Sequence, residues 1–338
     1  MTVYNKRREA LELTIRLARQ EDAPGIIALL IKQHGNYYPN PDFYNLGFVR
    51  RSIGAGDLYV ALAESEDGLL AGITGANRKN QFSGTLELGM LTVRPACQGF
   101  ALGKHLHSFL LETLSLQTYS SIFTHCMSLD TISQKICANM GYGITGALLN
   151  SYRTDSRAVH FSGLELPVKH NLVVTCRSGD KKDAGDLYAG PYVEYITAVY
   201  DSLGVAYRLR EEGTAPSGGS SLCTVTQAEK HRYCEVLARC LGPDFENLLG
   251  DVLKRYGGLE EQSFNVFINL NDPAAPWACR FLETRGFFFA GLHALSGVYE
   301  YMIFHYSPDL PVPFEKIAVL PGFAGEFSYI QGQYEMRR

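Results

Sequence analysis

Residues 91–103, Leu-Thr-Val-Arg-Pro-Ala-Cys-Gln-Gly-Phe-Ala-Leu-Gly, constrain this chain more than any other stretch. An apolar strand ends at Val93, and Pro95, which has no N–H to give, stops further pairing. Small residues follow and a helix begins at once. Gly99, Ala101 and Gly103 keep side chains out of the way, so several backbone amides can approach one anion. The free N–H groups and partial positive charge of the helix start complete a cradle suited to a pyrophosphate. For a lone Gly-x-x-x-Gly the plainer reading would be a turn without a ligand. The string is neither a Walker loop, which closes on Gly-Lys-Ser/Thr, nor a Rossmann fingerprint, since G-x-G-x-x-G is absent.

The flanking sequence alternates strand and helix signals. Residues 11–17 have the period of a half-buried strand. Asp22 and Pro24 mark a helix start, with Ile26, Ile27, Leu29 and Leu30 on its buried face. Residues 57–64 and 69–77 read as strands joined through Asp67-Gly68, a favoured hairpin pair. Residues 85–93 form a third strand, and 101–118 a helix whose Leu102, Leu106, Leu110 and Leu114 lie four apart. A strand at 122–127, a helix at 133–140 and a strand at 146–152 follow. After Leu166 come polar loops at 178–185 and 214–221, with helices expected at 192–203, 229–241, 245–256 and 277–285. Strands are expected at 223–226, 264–270 and 298–306.

A short repeat lies across the two halves. Gly141-Tyr-Gly-Ile-Thr-Gly146 and Gly286-Phe-Phe-Phe-Ala-Gly291 each follow a short helix after a strand. The shared context favours an internal duplication. A length of 338 residues also favours two cores over one. A composition of 46% hydrophobic and 20% charged residues is that of a globular chain.

The formal charge of −4, from 31 basic and 35 acidic residues, argues against a nucleic-acid partner. No apolar run approaches the roughly 18 residues of a membrane span, so no membrane partner is expected. The polar, basic start carries no secretory signal, which points to the cytoplasm. The eight cysteines are scattered without a C-x-x-C pair, so reduced thiols and no metal site are expected.

The segment 91–103 resembles the acetyl-CoA loop of the GNAT acetyltransferase superfamily, whose pattern is V-x-P-x-x-Q/R-G-x-G/A-x-G. Val93, Pro95, Gln98, Gly99, Ala101 and Gly103 match it. Gln98 stands where many relatives carry arginine, and brings no charge. The resemblance covers residues 12–165. It implies an α+β fold of two GNAT-like (acyl-CoA N-acyltransferase) domains, 1–165 and 166–338, each a mixed, largely antiparallel sheet flanked by helices. It implies acetyl-CoA as co-substrate, held by Leu91, Thr92, Val93, Gln98, Gly99, Phe100, Ala101, Leu102, Gly103, Lys104 and Ser133. The pantetheine arm would lie between the strands at 85–93 and 122–127. Tyr37 and Tyr38 fall in the family's acceptor-side loop and are the candidate substrate-binding residues.

Acyl transfer to an amine needs a way to remove the amine's proton and a donor to the leaving thiolate. By resemblance the base, or the holder of a water that acts as one, is Glu87; a solvent-facing strand charge is the plainer reading. The family's acid is a Tyr four residues before the Gly of the Gly-aromatic pair. Here Gly141-Tyr142 puts Cys137 at that position, either as a proton donor or as a small core residue. Asp130 replaces the family's Asn on the preceding loop, and Ser133, His125 and Tyr142 are nearby alternatives.

In the second half no Q/R-G-x-G/A-x-G string occurs between Leu222 and Asn271. Gln227-Ala-Glu-Lys-His231 stands where such a loop is sought, and Glu229 would repel a diphosphate. The half therefore reads as a degenerate GNAT-like domain, with a role in covering a sheet edge, shaping the acceptor pocket or forming a homodimer. The reading as a whole is an N-acetyltransferase acting on an unidentified amine-bearing acceptor. The alternative is a non-catalytic acyl-CoA-binding regulator.

Overall fold

The computed structural model describes the chain except for residues 6, 8, 37, 79, 115–117, 154–165, 211 and 338. Packing divides it into two compact units, residues 1–124 and residues 125–153 with 167–338. The first unit runs β1 (Thr2–Tyr4), β2 (Ala10–Glu12), β3 (Thr14–Leu17), α1 (Ala23–His34), α2 (Leu46–Ala55), β4 (Leu58–Glu64), β5 (Leu70–Asn77), β6 (Thr85–Val93), α3 (Leu102–Thr113) and the start of β7 (Ser121–Met127).

Its sheet has the order β3-β4-β5-β6-β7, antiparallel throughout except for the parallel pair β6–β7. The β4–β5 turn forms as its residue types require. Gly68 takes φ 79°, a left-handed conformation that costs other residues a clash, and Asp67 Oδ1 accepts from the Leu69 amide at 3.3 Å. Pro24 sits in the first turn of α1, where no N–H is missed. Asp22 does not cap that helix with its side chain. Its carboxylate accepts instead from the Arg19 amide at 2.7 Å and from both terminal nitrogens of Arg16, at 2.7 and 2.8 Å. Ile26, Leu29 and Leu30 of α1 then bury against Val60, Leu62, Ile73 and Met90 of the sheet.

The second unit continues with α4 (Ile132–Ala138), β8 (Gly143–Arg153), β9 (Lys169–Ser178), β10 (Asp183–Leu187), α5 (Val193–Leu203), β11 (Ala206–Leu209), β12 (Leu222–Ala228), β13 (Tyr233–Cys240), α6 (Phe245–Tyr256), β14 (Ser263–Asn269), α7 (Ala275–Thr284), β15 (Phe288–Ser296), β16 (Tyr299–Tyr306) and α8 (Ala324–Glu335). Its main sheet has the order β12-β13-β14-β16-β15-β8-β9. Within it β13 and β14 are parallel and joined through α6, just as β6 and β7 are joined through α3. The hairpins β8–β9 and β15–β16 each follow a short helix, α4 and α7.

The two glycines of the sequence repeat meet. Gly146 on β8 is the ladder partner of Gly291 on β15. A Cβ on Gly146 would lie 2.6 Å from the Leu292 carbonyl oxygen, and one on Gly291 would lie 2.5 Å from the Gly146 Cα. Thr145 Oγ1 donates to the Leu292 carbonyl at 2.9 Å, and the Tyr195 hydroxyl donates to the Thr145 carbonyl at 3.0 Å. Backbones at this separation exclude any side chain between them, which is why both repeats keep glycine there.

Several sequence expectations need correction. Residues 229–241, expected as a helix, are a 3-10 turn followed by β13. That strand is paired on both edges and buried on both faces apart from Glu235, Arg239 and Cys240, so a period of two is nearly erased. The single strand expected at 11–17 is two, β2 and β3, with the Leu13 amide turned to the Met1 carbonyl at 2.9 Å. Helices α2 and α8 and strands β1, β9, β10, β11 and β15 were not anticipated. The helix expected at 101–118 ends at Thr113, and 115–117 lie outside the described residues.

Gly146→Ala should lower the unfolding free energy by about 1–3 kcal/mol or more, since only backbone could yield. Gly250→Ala, in the middle of α6 with nothing within 4 Å of its Cβ position, should raise it by about 0.5–1 kcal/mol. Denaturant titration of the two variants checks this. Equal midpoints would mean that the glycine crossing is not tight.

Candidate functional site

The connection between β6 and α3 is built to present amides. The Arg94 N–H still pairs with the Ala71 carbonyl at 2.9 Å, and Pro95 opens a 3-10 turn closed by Cys97 and Gln98 amides. Gly99 and Ala101, flanking Phe100, then take φ values of 85° and 55°. Left-handed Ala101 stands directly before the right-handed helix residue Leu102, and adjacent residues of opposite hand turn successive N–H groups toward a common point, the arrangement called a nest. Helix α3 starts at Leu102, and among the described residues His105 is the first to donate back along it, to the Ala101 carbonyl at 3.2 Å. Nothing lies within 4 Å of the Cβ position of Gly99. Phe100 and Leu102 are buried, so these two reach the cradle only through their backbone. Lys104 is exposed on the first turn. Gln98 folds back, its Nε2 donating to the Val93 carbonyl at 3.3 Å. The donor set suits a diphosphate.

Strand β6 is bent where it leads away from this loop. Gly75 pairs with Gly89 and Ile73 with Thr92, so Thr74 faces both Met90 and Leu91. Met90 has φ 56°, the extra residue of a β-bulge. A Cβ on Gly75 would lie 2.8 Å from the Met90 sulfur, which accounts for the glycine. The ladder from β6 to β7 runs from Thr85↔Ser121 to Leu88↔Thr124 and stops just before the bulge. Residues 89–93 are thereby left with an open edge between the loop and the end of the ladder.

Over the bulge stands Tyr38. Its hydroxyl accepts from the Met90 N–H at 2.8 Å, and a Cβ on Gly89 would lie 3.4 Å from that oxygen. Burial pushes the phenol above its usual range, against the opposing pull of the Met90 N–H, and the nearby Glu87 charge adds to the rise. The ring is held edge-on to His34 at 5.3 Å and tilted to Phe43 at 5.8 Å. The Tyr38 N–H donates to the Tyr44 hydroxyl, which donates to the Gly35 carbonyl, both at 2.8 Å. Thr92 Oγ1 donates to the Met90 carbonyl at 3.1 Å and lies 3.2 Å from His34 Nε2. With its proton committed to Met90, Thr92 accepts from His34, which fixes the Nε2–H tautomer. Thr92 therefore turns its side chain to α1 and offers a ligand only backbone.

Sequence reasoning placed Glu87 and Tyr38 on separate segments, and the structure brings them together on the first unit. It missed His34. Tyr37 lies outside the described residues. Cys137 and Ser133 stand on α4, in the second unit. Cys137 is buried, with its sulfur 3.7 Å from that of Cys126, and this neighbour together with burial pushes the Cys137 thiol up. Those surroundings suit a packed thiol better than a proton donor.

The second unit answers the same strand order differently. The ladder β13–β14 runs unbroken from Tyr233↔Ser263 to Ala238↔Ile268, two pairs longer than that of β6–β7. The counterpart of the amide loop is residues 241–244, between β13 and α6, rather than 227–231, which are the end of β12 and the 3-10 turn leading to β13. Glu229 is thus not beside it in the chain. The Leu241 amide donates to Asp272 Oδ2 and the Gly242 amide to Ser221 Oγ, both at 2.9 Å, and residue 243 is Pro. The amides that an anion would need are already engaged.

A mixed sheet whose parallel pair opens onto a glycine-bearing strand-to-helix loop defines the acyl-CoA N-acyltransferase fold. The model of the Acetyltransferase (GNAT) family matches residues 15–142. Similar solved structures include YncA from Salmonella typhimurium with acetyl-CoA, 19% identical, covering 50% of this chain and 95% of that one at a TM-score of 0.40. Spermidine N-acetyltransferase from Vibrio cholerae with CoA and spermine is 14% identical, covering 50% and 96% at 0.38. YhbS from Escherichia coli with CoA is 21% identical, covering 39% and 73% at 0.31. No curated protein sequence matches the chain.

Cys137→Ala should cost about 1 kcal/mol of stability, as loss of a small core group does. Thiol release from acetyl-CoA should stay near normal, where loss of a proton donor would cut it about 100-fold or more. A folded variant with such a loss would return Cys137 to the mechanism.

Proposed function

We propose that the chain transfers an acetyl or similar acyl group from coenzyme A to an amine, using the first unit alone. The observation that carries this reading is the alignment of two features on one strand. An amide nest at 99–103 follows β6, and the open edge of the same strand leads from it to Glu87 and Tyr38. Acetyl-CoA supplies an activated acyl carbon. The backbone of Gly99, Phe100, Ala101, Leu102 and Gly103 holds its diphosphate, Lys104 adds charge beside it, and Leu91 and Val93 meet the arm with backbone groups.

The neutral amine forms the new C–N bond while the carbonyl π pair moves to oxygen. That pair returns as the C–S bond breaks, and the sulfur leaves with its electrons. Glu87 takes the proton that the nitrogen loses, directly or through a water, and the thiolate gains one from solvent. The acceptor is an amine whose identity stays open, approached from the Tyr38 side. We also propose that the second unit is a degenerate copy of the fold, which its strand order and its closed amides support.

Titration calorimetry with acetyl-CoA should give one site per chain. Gly103→Val, helical and therefore free of backbone strain, should abolish it in a folded protein. A second site surviving in that variant would place coenzyme on the other unit. Glu87→Gln should leave the affinity intact and lower turnover on a panel of amines about 100-fold, the usual scale of a general base. Unchanged turnover across pH would remove Glu87 from the reaction.

A further inference from the structure

We propose that the Tyr38 hydroxyl donates a hydrogen bond to the thioester carbonyl oxygen, and to the negative charge that collects there during acyl transfer. The inference rests on the acyl-CoA reading of the first unit. It starts from an unspent proton. The Tyr38 oxygen accepts from the Met90 N–H at 2.8 Å, yet among the described residues no acceptor takes its own O–H. A phenol is donor and acceptor together, and one that only accepts has its proton directed elsewhere.

Position says where. The ladder to β7 ends at Leu88, so an arm that starts at the amide nest and follows the open edge from Val93 must stop at Gly89 and Met90. Four residue steps at about 3.3 Å each make that edge about 13 Å long. Its far end lies under Tyr38, and Gly89 offers no side chain to fill the space.

Electrostatics says why a phenol works there. The Met90 N–H polarises the O–H through the oxygen it donates to, which strengthens the outgoing bond. Burial keeps the phenol protonated, so it remains a donor throughout the working pH range. Rigidity matters as much: His34, Phe43 and the Tyr44 hydroxyl hold the ring and its backbone before substrate arrives, so no reorganisation is needed at the moment of charge development. Tyr38 then acts as a catalytic residue of the oxyanion type, beyond lining the acceptor side.

The test needs no acceptor. Acetyl-CoA labelled with carbon-13 at the carbonyl is bound to the full chain, and its stretching frequency is read by difference infrared spectroscopy. The wild type should lower the frequency relative to free acetyl-CoA. Tyr38→Phe, which keeps the ring and its packing, should return it to the free value with the affinity retained. A more acidic difluorotyrosine at position 38 should lower it further. With an amine panel, Tyr38→Phe should reduce thiol release about 100-fold, the scale of one lost oxyanion donor. Equal carbonyl frequencies in wild type and Tyr38→Phe, both with acetyl-CoA bound, would overturn the role of Tyr38 and leave the acyl-CoA reading intact. Failure of the wild type to bind acetyl-CoA would overturn both.

Discussion

The left-handed backbone at Met90 is the constraint on which the first unit depends. One extra residue on β6 against Thr74 bends the strand, and the parallel ladder to β7 ends beside that bend. A bulge twists and re-aims the strand that carries it. The consequence is an edge of backbone N–H and C=O groups that the sheet does not use. Such an edge is costly unless something pairs with it, because buried backbone groups need partners. Tyr38 takes the Met90 amide, Gln98 takes the Val93 carbonyl, and the remainder is available to an extended ligand arm. The nest at Ala101 and Leu102 lies in the same direction along the strand, so one irregularity aligns the two ends of a long substrate.

In the second unit the irregularity of the matching strand β13 falls later, at Arg239, between the pairs Leu222↔Cys240 and Cys223↔Ala238. The parallel pair of that unit stays zipped to Ala238↔Ile268, and the short connection 241–244 hands its amides to Asp272 and Ser221. Carboxylate and hydroxyl oxygens there do for the backbone what a phosphate would do elsewhere. Its stability comes from close approach instead, most visibly where Gly146 and Gly291 face each other.

Features with local causes were legible in the sequence. The amide loop, the Asp67-Gly68 turn and Pro24 at the start of α1 all follow from what Gly, Pro and Asp do to their own backbone. What was hidden depends on partners far away in the chain. Strand β9 opens with Lys169-His170-Asn171, which reads as polar linker. Lys169 is nonetheless only 1% exposed, because its ammonium donates to the Arg232 and Glu261 carbonyls at 2.8 and 3.3 Å. Strand β13 lost its alternation to burial on both faces. The bulge at Met90 was invisible because methionine carries no signal for a positive φ, and His34 reads only as a basic residue in the last turn of a helix. Tyr38 was found by its place in the acceptor-side loop that the resemblance implies rather than by its chemistry.

Glu87 and Glu235 occupy matching places in the two units. Each is the third pair of its parallel ladder, Glu87↔Phe123 in one unit and Glu235↔Asn265 in the other. Residue type and register are therefore the same, and a motif search by either would score them alike. Their surroundings differ. Glu235 lies within a ladder that continues three pairs further, and it accepts from the Tyr233 hydroxyl at 3.0 Å. Glu87 has one pair after it, then the bulge, with the Tyr38 phenol close enough to feel its charge. A carboxylate works on a proton only where a substrate can reach it, and reach is decided by where the strands part. The difference between the two glutamates is thus one of backbone geometry, since residue type and register are shared.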